Sequence, residues 1–92
     1  MNKGELISKV ADDTGLTQRQ VDSVVSAILE TITKQVASGG KVTLAGFGTF
    51  ERRHRKARIG RNPQTGAEIQ IKASNVPAFS AGKQFKETVN AS

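Results

Sequence analysis

Gly46-Phe47-Gly48-Thr49-Phe50-Glu51-Arg52-Arg53-His54-Arg55-Lys56-Ala57-Arg58-Ile59-Gly60-Arg61-Asn62-Pro63-Gln64-Thr65-Gly66 is the stretch from which the fold is read. Gly46-Phe47-Gly48 makes a tight corner, and Thr49-Phe50-Glu51 starts a strand. The strand continues from Arg52 to Ile59 with no apolar parity. Arg52, His54, Lys56 and Arg58 alternate with Arg53, Arg55, Ala57 and Ile59. A strand that is wet on both faces does not pack inside a domain, so this one is predicted to project. Asn62 to Gly66 is a run of turn formers. Residues 67–74 then return, with Ile69, Ile71 and Ala73 on one side and Glu68, Gln70 and Lys72 on the other. The outcome is a hairpin arm over about 52–73. Its outgoing strand reaches on the order of 35 Å at ~3.3 Å per residue.

The arm also holds the charge. From Arg52 to Arg61 there are six basic groups and no acid, while the rest of the chain carries eight basic and eight acidic groups. The whole net charge of +6 therefore comes from these ten residues. Solvated sheet edges usually mix signs; this one excludes acids, which favours a polyanion as partner. Guanidinium groups pair bidentately with phosphate and enter narrow minor grooves. The span of the arm matches roughly one turn of B-DNA, so duplex DNA leads. Minor-groove contacts read little beyond A·T against G·C, so binding by shape is expected. Pro63 supports two readings, a plain Asn-Pro turn or an apolar wedge between base steps. His54 has no partners for a triad or a metal set and is read as exposed or facing phosphate. Lys3, Lys83 and Lys86 are surface lysines that would extend a phosphate track if folding brought both chain ends to one side.

On the N-terminal side the pattern is helical over 1–40. Asn2 caps a first helix, with Glu5 at the reciprocal position, and Leu6, Ile7, Val10 and Ala11 fall on one face. Gly15 ends it in a left-handed conformation. Thr17 and Gln20 form a capping box for the second helix, with Leu16 placed to staple onto Val21. Val21, Val24, Val25, Ile28, Leu29, Ile32 and Val36 make its apolar stripe. One short first helix cannot cover that stripe. With 92 residues, four Phe and no Tyr or Trp, the chain is predicted to need a partner copy. Val25, Ile28, Leu29, Ile32, Phe47, Phe50 and Phe79 are assigned to the dimer core. A major-groove helix-turn-helix is disfavoured because the second helix offers only Arg19 and Lys34 as basic groups.

Residues 41–80 are read as the β region: Lys41 to Ala45 as a strand, the arm, and an irregular Asn75-Val76-Pro77-Ala78-Phe79. Ser80 is expected to cap a last helix within 81–92. The class is α+β, one domain over 1–92. The chain has no cysteine, hence neither disulfides nor thiolate metal sites. Metal, cofactor and catalytic residues are all read as none, and an enzyme is not expected. No window approaches a signal peptide or a membrane span, and the arm lacks the apolar face a membrane surface calls for. A soluble cytoplasmic protein is expected.

Gly46-Phe47-Gly48-Thr49-Phe50, the basic strand, Gly60-Arg61-Asn62-Pro63-Gln64-Thr65-Gly66 and Val76-Pro77-Ala78-Phe79-Ser80-Ala81-Gly82-Lys83 closely resemble the bacterial histone-like HU family, sister to integration host factor. The opening Met1-Asn2-Lys3 also fits, and the likeness covers the full length. The resemblance implies an intertwined homodimer with a helical base and a β saddle bearing two arms. It implies that the arms hold DNA through the minor groove, that Pro63 intercalates and stabilises a bend, and that binding has little sequence preference. It further implies a nucleoid-associated role in DNA compaction, with a liking for bent, nicked or gapped DNA. Carried over by position, arm contacts are Arg53, Arg55, Arg58, Arg61 and Asn62, joined by Arg52 and Lys72; Lys3, Lys83 and Lys86 lie on saddle and flank. Two departures stand out. Ser26 replaces the acid with which many relatives pair Lys3, so Lys3 is expected to be freer for phosphate. Arg52-Arg53 is also more basic than usual. Both lean towards a tighter, longer footprint. Two other readings stay open: a sequence-preferring bender like integration host factor, and a polybasic RNA-binding module.

Overall fold

The first two helix starts are fixed by side chains close in sequence. Asn2 Oδ1 accepts the Glu5 N–H at 2.9 Å, and α1 runs Lys3–Thr14 to Gly15, whose φ is 72°. In this computed structural model, which describes residues 1–91, α2 spans Gln18–Ala37. Gln20 N–H donates to Thr17 Oγ1 at 3.1 Å, and Thr17 N–H donates back to Gln20 Oε1 at 3.0 Å. This is the reciprocal box that the spacing predicts. Ser92, the end of the expected C-terminal segment, lies outside the described residues.

The chain forms two compact units, Met1–Lys34 and Gln35 onward. In the first, Ile7, Ala11 and Val21 are buried together, with Val10 and Val25 packed against them. Val24 stays 54% exposed, and Ile28 and Leu29 49% each. Lys3 departs from expectation here. Its Nζ donates to Ser26 Oγ at 3.2 Å and lies 3.8 Å from Asp22 Oδ1, while Ser26 Oγ donates to the same Asp22 oxygen at 3.4 Å. The serine does not free the lysine, because an acid one helical turn earlier takes over the pairing.

The second unit begins with the last turn of α2. Its strands are β1 (Val42–Leu44), β2 (Gly48–Arg55), β3 (Arg58–Arg61), β4 (Glu68–Ile71) and β5 (Ser74–Ala81), followed by α3 (Lys83–Asn90). One antiparallel sheet has the order β1-β2-β5, and β3 with β4 makes a separate two-stranded ribbon. At the corner, Phe47 N–H donates to Leu44 O at 2.9 Å. Gly48 is buried, and a Cβ there would stand 2.5 Å from Phe79 Cζ, so only glycine lets the ring lie across the strand. Phe47 stacks on Phe85 with centroids 4.9 Å apart, and Phe79 meets Phe50 at 4.8 Å. All four Phe thus share one cluster, yet Phe47 and Phe79 remain 44% and 40% exposed.

Three local expectations are corrected. The strand expected over 52–59 loses its pairing at Lys56 and Ala57, opposite the equally unpaired Lys72 and Ala73. Residues 75–79 are a regular strand rather than irregular, because Pro77 sits on edge strand β5, opposite Arg52, where no further strand needs its missing N–H. The last helix starts at Lys83 instead of Ala81, since Ser80 stays in β5 opposite Thr49 and Gly82 takes the cap position without a side-chain bond.

Candidate nucleic-acid interface

Strand alternation sorts the basic residues onto opposite faces of the sheet. Glu51, Arg53 and Arg55 of β2 share a face with Thr49 and, across the ladders, with Thr43 and Ser80. The other face carries Phe50, Phe79 and Arg52. Arg52 is therefore placed apart from its neighbour. Its Nη1 donates to the carbonyl of Ala37 at 3.3 Å, and its guanidinium covers Gly39, where φ is 92°. Arg52 thereby caps the end of α2, where a cation suits the negative end of the helix dipole.

The polar face is organised around Glu51. Arg53 Nη2 lies 3.3 Å from Glu51 Oε1, and Lys41 Nζ lies 3.4 Å from Oε2. Arg53 Nη2 also donates to Ser80 Oγ at 3.4 Å. Hydrogen bonds from Lys41, and then from Arg53, hold the Glu51 carboxyl below the usual carboxylate range. Sequence reads Lys41 only as the start of a strand and Ser80 as a helix cap, so neither is expected on this face. The alternation of Lys41 and Thr43 against Val42 and Leu44 was the available signal for the lysine.

Beyond Arg55 the register of the hairpin does not change. Arg55 faces Ser74 before the lapse in pairing, and Arg58 faces Ile71 after it, so no residue is inserted in either strand. Lys56, Ala57, Lys72 and Ala73 fill that level. Ala57 and Lys72, with Arg58, Ile59, Gln70 and Ile71, line a shallow hollow of about 290 Å³. On the ribbon, Arg58 and Gly60 share a face with Ile69 and Ile71, while Ile59 and Arg61 share the other with Glu68 and Gln70. Both faces therefore pair cations with isoleucine. Every residue from Arg52 to Asn75 is exposed except Gly60 and Asn62, as the two wet parities require. His54, at the root of the arm, faces Asn75 with Nδ1 3.0 Å from Oδ1; that contact needs the proton on Nδ1.

The tip is a locked turn. Asn62 N–H donates to Ala67 O at 2.9 Å, Gly66 N–H to Asn62 O at 2.7 Å, and Gln64 N–H to Asn62 Oδ1 at 2.9 Å. Gly66 supplies the left-handed corner with φ 72°. Asn62 thus spends its side-chain oxygen on the turn, which holds Pro63 exposed at the end of the arm. Lys83 and Lys86 lie on α3, with Lys83 3.9 Å from Glu87. Among the described residues no cluster of metal-ligating groups exists, and no helix is long and apolar enough to cross a membrane.

Known proteins share this arrangement. The family model described as bacterial DNA-binding protein matches residues 1–90. The DNA-binding protein HU of Nostoc sp. is 58% identical over 89 residues, covering 97% of this chain and 95% of its own length. HU of Staphylococcus aureus is 55% identical over 89 residues, covering 97% of this chain and 99% of its own. Among solved structures, a chain from an Anabaena HU–DNA cocrystal superposes with a TM-score of 0.90 at 58% identity, covering 97% of each chain. Agreement over nearly the full length, in sequence and in backbone alike, means that the chain belongs to the bacterial HU family of DNA-binding proteins.

Proposed function

We propose that the chain is a histone-like architectural protein that binds duplex DNA through its arm and saddle, bends it, and organises the nucleoid. The carrying observation is the exposed ribbon itself. Each face of a two-stranded element that nothing else covers among the described residues carries one arginine, Arg58 or Arg61, beside isoleucine. Guanidinium groups suit the phosphates, and isoleucines suit the sugar walls of a minor groove. Likeness to a chain solved with DNA supports the same reading. Pro63, exposed on a turn with four internal hydrogen bonds, is the proposed intercalating wedge. A rigid mount lets contact energy offset unstacking, which costs a few kcal/mol per step. This favours DNA that is already bent, nicked or gapped.

The working unit is proposed to be a homodimer. Each fully buried large apolar side chain contributes about 1.5–3 kcal/mol. Here the only buried apolar residues described are Ile7, Ala11, Val21 and Val36. Val25, Ile28, Leu29, Ile32, Phe47, Phe50 and Phe79 would complete their burial against a second copy. The arm contacts would be Arg53, Arg55, Arg58, Arg61, Asn62 and Lys72, with Lys3, Lys83 and Lys86 on the body. Binding should be governed by counterion release. With roughly 6–10 phosphate contacts, affinity falls about 10³–10⁵-fold between about 50 and 200 mM salt.

The test is a gel shift with straight, nicked and four-way DNA across a salt series, with a mass measurement of the free protein. The reading expects a dimer, a steep salt slope and preference for distorted DNA. A sharp consensus from random-sequence selection would favour a sequence-preferring bender, and tighter binding to RNA would favour the polybasic alternative.

A further inference from the structure

On the polar face of the sheet, two cations from different strands already converge on one anion. Lys41 precedes β1, Arg53 lies on β2 and Ser80 on β5, so three adjacent parts of the sheet contribute. The anion between them is Glu51, whose side chain is 22% exposed beneath cations that are 68% and 58% exposed. Each carboxylate oxygen takes one cation, Oε2 the ammonium and Oε1 the guanidinium. A phosphate makes the same demand with more oxygens. The hydroxyl beside Arg53 Nη2 offers it a further donor.

We propose that Lys41, Arg53 and Ser80 form a phosphate-binding site on the sheet, and that Glu51 is its internal competitor, which a backbone phosphate of DNA displaces. The proposal rests on the DNA-binding reading above and adds Lys41 and Ser80 to the interface. Its consequence has a definite sign. Glu51 keeps the cations paired and in place when no DNA is bound, and it repels the incoming phosphate. It therefore tempers affinity. The site exchanges one ion pair for another, so part of its positive charge is hidden from DNA until the exchange occurs.

The test measures the affinity of the full chain for a duplex of roughly 30 bp across a salt series. The variants are Glu51→Gln, Lys41→Ala and their double mutant, with Glu30→Gln, which releases Lys34 on α2, alone and with Lys41→Ala, as controls of equal charge. Glu51→Gln is expected to bind about 5-fold tighter at low salt, with a slope steeper by about one per bound protomer. Lys41→Ala should cost more in the Glu51→Gln background than in the unmodified chain, but no more in the Glu30→Gln background. Ser80→Ala should weaken the Glu51→Gln protein without a change of charge. Weaker binding by Glu51→Gln, or a gain matched by Glu30→Gln, overturns the proposal. If Glu51→Gln does not fold, Lys41→Ala must still weaken binding more than Lys34→Ala, and equal losses overturn the site. Failure of the DNA reading itself would show separately, as an unmodified chain whose binding ignores salt.

Discussion

Arg52 donates to the carbonyl of Ala37 at 3.3 Å, whereas Arg53, one residue on, reaches Glu51 and Ser80 on the opposite face of the same strand. Two neighbouring arginines thus do different work. Arg52→Ala should lower stability by roughly 0.5–1.5 kcal/mol through the lost helix-end bond. Its effect on DNA affinity should be smaller than that of Arg53→Ala or Arg55→Ala. Urea unfolding beside a salt titration of binding separates the two losses.

The Thr17–Gln20 box makes a second prediction, confined to stability. Thr17→Ala removes the bond to the Gln20 N–H and should cost about 1 kcal/mol. The double variant with Gln20→Ala should cost less than the sum of the single losses, because the two bonds form together. Chemical denaturation at one fixed protein concentration is the appropriate measurement, since a dimer's stability varies with concentration.

Glu51 links stability to pH. Hydrogen bonds from Lys41 and Arg53 lower its folded pKa below the unfolded value. Its contribution is therefore complete above the unfolded pKa and is lost as pH falls through the folded one. The stability gap between the unmodified chain and Glu51→Gln should narrow as pH drops from about 7 to about 3. A gap that stayed constant would mean the carboxylate is not sensed. The same substitution is expected to tighten DNA binding, so this residue trades affinity for stability.

The first two helix starts, the glycine corner and the arm were legible in sequence because each is specified locally. Asn2, Thr17 and Gln20 satisfy backbone groups within one turn, and the absence of an apolar parity exposes the arm. What was less legible depends on pairing across the chain. Pro77 reads as irregular until β5 is known to be an edge strand. Ser80 reads as a cap until the ladder holds it opposite Thr49. Lys3 reads as freed by Ser26 until Asp22 is found within reach. The split between Arg52 and Arg53 follows from strand parity, but what each side chain meets there does not.

Pro63 carries a prediction about shape preference. Pro63→Ala should reduce the preference for nicked and gapped DNA while leaving most of the salt slope, because a wedge acts on stacking and the arginines act on counterions. Parallel titrations on intact and nicked duplexes of one sequence measure the two quantities independently. An unchanged preference would remove the wedge.

The central claim, an arm that grips and bends the duplex, is tested most directly by energy transfer between the ends of a labelled duplex as protein is added. The account predicts that the ends draw together on binding. It also predicts that a chain with Arg53, Arg55, Arg58 and Arg61 all replaced by Ala loses both the shortening and most of the affinity. A duplex that is bound yet remains straight, or is bent equally well by the neutralised arm, would contradict it.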